Sequence, residues 1–540
     1  MNQGSFLKLR VAIVVPAKKF LSLGGLLWTQ RYGPLQVASV VRDTGHEVRL
    51  FNEELGLQVS AEQLAQEFDV VGFSCKSSAL TRAEELAEAV KSMAKKHGRR
   101  VVTVLGGEHI SMGGDSRLSP QFDYMLCGES EEAFVTLLKA IESAESEAGN
   151  VFHASLEKHH TCGCFNNIPD LSLAVGYDEI ARGFFFRHLP LLWTLKQKQL
   201  PVVTFQGTRG CPYNCAFCPT PRFLQGNGYR RRSIESGLAY LQEHIARSGI
   251  HRVMFEDPTA ALPFDKECQR FFEAVARSPL SMKASLFVRA DLCEDRRLLE
   301  LMRAAGVANL SIGIESLSDR ARHDFKKRTS YDTIRKSVDV FHEYGFTLTA
   351  LFIVGYDTDD IDSFQRIHDF INETGVEKWK ASPLSQMPEA PDQFLPAHRY
   401  FLWDEFSHFG REVVDYANGE YTIFFPKHMK PSTLQKKIME FDRSATSLGD
   451  LVRLFGKRRN LRSVFSRLGN NFAQRRVQSE IAASKYFEMV QEVETPFYLN
   501  SNGKETLREE LLLRRYQKRQ ERRTLINDRQ ALNPLYRSTQ

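Results

Sequence analysis

Two separate blocks of this chain alternate short apolar runs with amphipathic ones, and that rhythm limits the fold more than any other feature. In the first block Arg10–Val15, Glu47–Phe51, Asp69–Ser74, Val101–Leu105 and Tyr124–Cys127 are strand-like. Leu35–Thr44 and Thr81–His97 carry a helical period between them. Strands that alternate with helices form a doubly wound parallel sheet. In the second block the strands are Val202–Phe205, Arg252–Glu256, Lys283–Val288, Asn309–Ile314 and Leu348–Val354. Helices fall at Ile234–Ser248 and Asp295–Ala305. Repeated βα units of this kind point to a complete or partial barrel.

The predicted class is therefore α/β. A doubly wound, Rossmann-like parallel sheet occupies 1–140, a linker 141–198, a partial (β/α) barrel 199–395, and a helical, basic C-terminal region 396–540. A length of 540 residues agrees with about three domains. A chain 42% hydrophobic and 26% charged is not disordered. No stretch approaches the roughly 18 apolar residues of a membrane span, and no signal cleavage site is evident, so a cytoplasmic protein is expected. The net charge of +6 is unevenly placed: residues 441–540 carry +9 and the body is slightly acidic. The linker holds His159, His160, Cys162 and Cys164. These are competent metal ligands, but cramped for one tetrahedral ion; a solvent-exposed linker is the plainer reading.

Nine cysteines are too few for a disulfide scaffold in so long a chain. Three of them, Cys211, Cys215 and Cys218, are spaced C-x3-C-x2-C after the first strand of the second block. Three thiolates so close can hold one face of a [4Fe–4S] cube, which normally takes four ligands, leaving one iron open. The loop would lie at the carboxyl mouth of the barrel, where barrel enzymes do their chemistry. Gly207 and Gly210 allow the backbone to approach the cluster closely. A zinc loop or three incidental buried cysteines are the alternatives, and zinc usually takes paired motifs that are missing here.

The segment GTRGCPYNCAFCPTPRF, with Phe217 before the last cysteine, resembles the signature of the radical S-adenosylmethionine superfamily. The resemblance extends over residues 200–390. It implies a [4Fe–4S] cluster on the three cysteines, with the open iron chelating the methionyl group of S-adenosylmethionine. It further implies that Phe217 packs near the adenine and that Glu256 and Asp257 meet the methionyl amino group. Arg289 would pair with the carboxylate, and Glu315 would contact the amino acid or ribose. Ile353 and Gly355 in LFIVGYD resemble an adenine motif. On the residues alone, a strand-end carboxylate or arginine is as often a structural ion pair.

In the first block, Ser74, Gly106, Gly107, Gly128 and Glu129 end strands, where ligands of open parallel sheets bind. The order DVVGFSCKSS, VLGGEHIS, FDYMLCGESEEAF resembles the cobalamin-binding domain joined to many radical S-adenosylmethionine enzymes. The Asp-x-His-x-x-Gly loop that carries a cobalt-ligating histidine in mutases is missing. His109 fits the subfamily pattern near the nucleotide tail, with a satisfied structural histidine as the alternative. Trp28 and Tyr32 are candidates to face cobalt.

Together these resemblances imply a cobalamin-dependent methyltransferase acting on an unactivated carbon. A cobalamin-dependent cyclase or ring-rearranging enzyme is the rival, and a non-catalytic cobalamin- or redox-responsive binding protein is the rival of another class. The implied partners are a small-molecule substrate, with a lipid or other hydrophobic molecule favoured, and a flavodoxin- or ferredoxin-type electron donor. Nucleic acid is not expected, because no recognition fold accompanies the charge. Between Leu451 and Ser479 eight Lys or Arg occur without an acid, interleaved with Leu454, Phe455, Leu461, Val464, Phe465 and Leu468. Such a helix can lie peripherally on an anionic membrane, or present a charged outer face while packed on the barrel.

Overall fold

The structure, a computed structural model, describes residues 8–20, 22, 27–113, 119–143, 151–153, 169–175, 200–220, 228–385, 394–402, 405–501 and 503–531. The four histidines and cysteines of the linker lie outside the described residues.

The first block folds as a six-stranded parallel sheet. Its strands are β1 (Arg10–Val15), β2 (Glu47–Asn52), β3 (Val70–Ser74), β4 (Val102–Gly106), β5 (Tyr124–Cys127) and β6 (Val151–His153), in the order β2-β1-β3-β4-β5-β6. Helices Tyr32–Asp43, Leu80–Lys96 and Glu131–Glu142 supply the crossovers. The strand order reverses between β1 and β3, which opens a crevice at their carboxyl ends. All six residues of RVAIVV and the run VVGF are shielded to the same degree on both sheet faces, apart from half-buried Arg10. Strand β6 is not expected from the sequence; its three residues are too few to show a period.

The second block is a six-stranded parallel sheet in sequential order: β7 (Val203–Phe205), β8 (Arg252–Phe255), β9 (Lys283–Val288), β10 (Val307–Glu315), β11 (Thr347–Val354) and β12 (Lys378–Pro383). Sequential βα units curl one way, giving an open half barrel. Its helices begin at side-chain caps that satisfy their first N–H groups, Ser233 for Ile234–Ser248, Asp265 for Lys266–Arg277 and Ser330 for Tyr331–Glu343. Here burial alternates along β9 and along most of β10 and β11. Ala284, Leu286 and Val288 of β9 are buried, whereas Ser285 and Phe287 are half-buried. Leu310, Ile312 and Ile314 of β10 alternate in the same way with Asn309, Ser311 and Gly313. One face is thus sealed by helices and the other, concave face is open. Strand β12 was not expected either, because KWKASP places lysines on the open face and reads as polar.

C-terminal helices Pro431–Ser444 and Leu461–Ala483 cover the free edge at β12, where Trp379 lies against Phe441. Further along, Phe20 of the first block stacks on Tyr416, and Tyr416 meets Tyr421 and Tyr486. The C-terminal region therefore touches both sheets. The basic stretch that reads as one helix is two, Leu448–Arg458 and Leu461–Ala483, broken where Arg459 adopts a left-handed conformation.

Candidate active site between two parallel sheets

The three cysteines follow β7 on a loop that the protein holds from several sides. The Thr208 hydroxyl donates to Asp257 Oδ1 at 2.6 Å and the Gly207 N–H to Oδ2 at 3.2 Å. Thr208–Arg209 pairs with Arg230–Arg231, and the Ala216 N–H donates to the Phe325 carbonyl. Gly210 has φ +86°, and a side chain there would collide with the Gly228 carbonyl. The closeness expected between these glycines and a cluster is therefore spent within the protein: Gly210 admits Gly228, and Gly207 lies against the Phe205 ring. Asp257 is corrected in the same way. It is buried, both of its oxygens serve the loop, and burial pushes its carboxyl up to about 6, so it positions the triad.

Cys211, Cys215 and Cys218 are free thiols, each half-buried. Burial pushes the Cys211 and Cys215 thiols up, while Arg289 favours the thiolate at both and Lys327 at Cys215. Among the described residues no three His, Cys, Asp or Glu side chains converge where one ion could sit. A single zinc needs such convergence; three corners of a cube do not. The donor set, free soft thiols beside two cations, fits an iron–sulfur cluster.

Four predicted residues fall on the open face of the half barrel, one after another along adjoining strands. Glu256 follows half-buried Met254, Arg289 follows Phe287, Glu315 ends β10 and Ile353 lies near the end of β11. Arg289 stacks over the Tyr213 ring at 3.8 Å and binds Asp291 at 2.9 Å. Glu315 pairs with Lys327 at 2.8 Å, and the lysine also donates to the Gly313 carbonyl at 2.5 Å. The strand bulges between Gly313 and Glu315, and Glu315 sits at φ +66°, a conformation that costs about 1–2 kcal/mol for an L residue. Lys327, Tyr213 and Asp291 are site residues that sequence reasoning missed; Lys327 lies in a KKR run that reads as solvated charge. Phe217 meets Phe325 edge-on at 5.2 Å, and Phe325 continues to Tyr356 and Phe394. Gly355, at φ +94°, leaves no room for a ligand on its open side, which Leu434 and Phe424 of the C-terminal region fill.

On the first sheet, Ser74 and Gly106 are half-buried at the carboxyl ends of β3 and β4. Gly107 has φ +96°, and a Cβ would stand 2.7 Å from both N and O of Cys75, so only glycine fits. The Gly128 N–H is taken by Ser111 Oγ at 2.8 Å. The ring of buried His109 lies 3.2 Å from Ser77 Oγ. Two expectations are corrected here. Tyr32 is wholly buried, its hydroxyl shared between Gln36 and Arg232, so it does not face a cofactor. Glu129 does not line an open strand end: it binds Arg230 at 2.8 Å and Arg209 at 3.3 Å, and Glu131 binds Arg209. Against the cost of burial, those arginines hold the Glu129 carboxyl below its ordinary range. Trp28 lies in the short strand Leu27–Trp28, paired with Leu200–Pro201.

These ion pairs join the two sheets. Arg209 stands two residues before Cys211, so Glu129 fastens the end of β5 to the triad loop. A second bridge runs from Glu54 through Arg31, 2.6 Å away, toward Glu256 at 3.9 Å. Burial opposes ionisation of Glu54, but Arg31 and Lys18 outweigh it and hold the carboxyl at about 2. Burial lowers Lys18 to about 8. Burial likewise raises Glu256, although 27% of its side chain stays accessible, as expected of a group lining an enclosed cleft. The carboxyl ends of both sheets thus face one charged cleft.

The comparisons with known proteins agree with this geometry. The family model of the radical SAM superfamily matches residues 205–371, and that of the B12 binding domain matches residues 29–138. The chain is 25% identical to a bacteriochlorophyllide d C-12(1)-methyltransferase of Chlorobaculum tepidum, over 63% of this chain and 68% of the relative. It is 23% identical to an anaerobic magnesium-protoporphyrin IX monomethyl ester cyclase of Rubrivivax gelatinosus, over 62% and 60%. The fold is similar to that of the radical S-adenosylmethionine methyltransferase TsrM from Kitasatospora setae, solved with cobalamin and a [4Fe–4S] cluster bound. That match has a TM-score of 0.53 at 15% identity and covers 72% of this chain and 74% of that one. The chain thus carries a B12 binding domain that leads into a radical SAM domain.

Proposed function

We propose that this enzyme transfers a methyl group to an unactivated carbon of a hydrophobic, polycyclic substrate. The observation that carries the reading is the shared cleft: the triad loop and the crevice of the first sheet are tied face to face by Glu129 and by Arg31. When bound, the cluster, S-adenosylmethionine and cobalamin supply hydrogen abstraction and the methyl group; the protein supplies placement. Cys211, Cys215 and Cys218 hold the iron. Arg289 and Lys327 offset the thiolate charge, and Arg289, fixed by Asp291 and Tyr213, presents its cation to a carboxylate. Glu315, fixed by Lys327, and Glu256 offer oxygens to an amine or to hydroxyls, while Ile353 and Phe217 give apolar surface. Ser74, Gly106 and Gly107 keep the edge of the first sheet low enough for a large planar ligand. Closing such a cleft keeps water from a reactive carbon centre.

The magnesium-protoporphyrin cyclase relative supports a second reading, radical chemistry without methyl transfer. Turnover with methyl-labelled S-adenosylmethionine separates the two: label in the product supports methyl transfer, and an unlabelled product overturns it. Anaerobic reconstitution is expected to give about four irons per chain. Replacement of all three cysteines by Ala is expected to abolish iron while leaving cobalamin absorbance in place. A hydrophobic substrate and the basic C-terminal helices together support work at a membrane surface. We read that association as peripheral; among the described residues no helix is long and apolar enough to cross a membrane.

A further inference from the structure

The helix Leu461–Ala483 is inside out. Its buried face is polar from Ser463 to Gln474, and only Val477 and Ile481 near its end join the apolar core. Arg467 donates to Asn372 at 3.0 Å and to the Val376 carbonyl, and Asn471 donates to the Asp442 carbonyl at 2.9 Å. Gln474 donates to the Trp379 carbonyl and Gln478 to Asp442 Oδ2, each at 2.6 Å. Leu461, Phe465, Leu468 and Phe472 point the other way, and the two phenylalanines are 66% and 63% exposed. Their spacing of i, i+4, i+7 and i+11 makes one stripe. The neighbouring helix Leu448–Arg458 extends it with exposed Leu448, Val452 and Phe455. Among the described residues, seven of the eleven large hydrophobics that stay exposed fall in these two helices.

A water-facing helix does the reverse, with its apolar stripe against the core. An exposed apolar patch of this extent marks a contact with another phase or partner. Its surroundings say which. Arg453, Arg459, Arg462 and Arg475 are exposed beside the stripe, and no acid occurs between Leu451 and Ser479. Asp450, just before this stretch, is buried and holds Ser447. A second copy would bring like charges together, since a twofold contact sets the same patch against itself. We propose that this face docks on an anionic lipid surface, with Leu and Phe at the acyl boundary and the arginines on headgroup phosphates. The inference deepens the peripheral reading above and rests on it; it does not depend on which reaction the cleft performs.

Co-sedimentation of the full-length holoenzyme with vesicles tests this. Binding is expected to phosphatidylcholine vesicles containing phosphatidylglycerol, and about tenfold or more weaker binding to phosphatidylcholine alone or in high salt. Phe465→Ser with Phe472→Ser should weaken binding by about tenfold or more per site while S-adenosylmethionine cleavage in solution is unchanged. Replacing the three cluster cysteines should leave vesicle binding intact, which separates this inference from the cofactor reading. Failure to bind anionic vesicles overturns it, as does a dimer in solution that the double Phe variant converts to monomer.

Discussion

The two parallel sheets have six strands each, yet they are used in opposite ways. In the first, neighbouring residues of β1 such as Ile13 and Val14 are both buried, because helices cover both faces. Nothing but the carboxyl edge is left for chemistry, at the crevice where strand order reverses. In the second, every other residue faces an open concavity, and Glu256, Arg289, Glu315 and Ile353 share that face. A doubly wound sheet offers a ledge and a half barrel offers a bowl. Set edge to edge, they make a cleft in which each can hold its own cofactor.

The largest effect is expected where the two meet. Glu129→Ala leaves Arg230, 17% exposed, without its carboxylate, while Arg209 keeps Glu131. Stranding buried charge costs about 3–5 kcal/mol. Chemical denaturation should register that loss, and reconstituted iron should fall as the triad loop loses its anchor. A cost under about 1 kcal/mol, the worth of a surface pair, would mean the sheets are not coupled through this contact.

Next comes parity within a strand. In β10, Ile312→Ala should cost about 3 kcal/mol, as large-to-small core changes do, and Ser311→Ala less than about 0.5. In β1, Ile13→Ala and Val14→Ala should both cost about 2–3 kcal/mol. Equal costs at Ile312 and Ser311 would show that the bowl is closed in solution and would erase the contrast between the sheets.

A smaller effect separates neighbouring glycines on the ledge. Gly107→Ala combines positive φ with a Cβ 2.7 Å from the Cys75 backbone and should cost about 2 kcal/mol, with loss of cobalamin retention. Gly106→Ala meets nothing closer than 3.7 Å and should cost less than about 1 kcal/mol. Matched midpoints for the two variants would refute the assignment of Gly107 as the tight point.

Much of this was legible in the sequence because parallel strands announce themselves as apolar runs; β1, β5 and β9 fall on the predicted bounds. The triad was legible because its spacing is local. Partners brought together by the fold were not. Nothing near Glu129 points to Arg230, a hundred residues on, and Lys327 looks like one more surface lysine. The basic tail failed for a different reason. Periodicity finds an apolar stripe but not which way it faces, and here the polar side won the interior because Arg467 and Gln474 reach carbonyls at the bowl's edge while Asn471 and Gln478 reach Asp442 of the helix beside it.

That polar seal gives the comparison its subtlest test. The first sheet is closed by apolar contacts, which do not titrate; the free edge of the second is covered partly through Asp442. Burial raises the Asp442 carboxyl to about 7 from an ordinary 3.8, and Oδ2 accepts from Gln478. Between those two values the folded protein holds a proton that the unfolded chain has released. Stability therefore falls as pH rises through that window. Asn at this position keeps an acceptor for Gln478 but cannot ionise. Asp442→Asn should match the parent near pH 4 and exceed it near pH 8, by on the order of 2 kcal/mol. Parallel stability curves for the two proteins would mean that Asp442 stays charged in the fold, and that the seal of the second sheet is as indifferent to pH as that of the first.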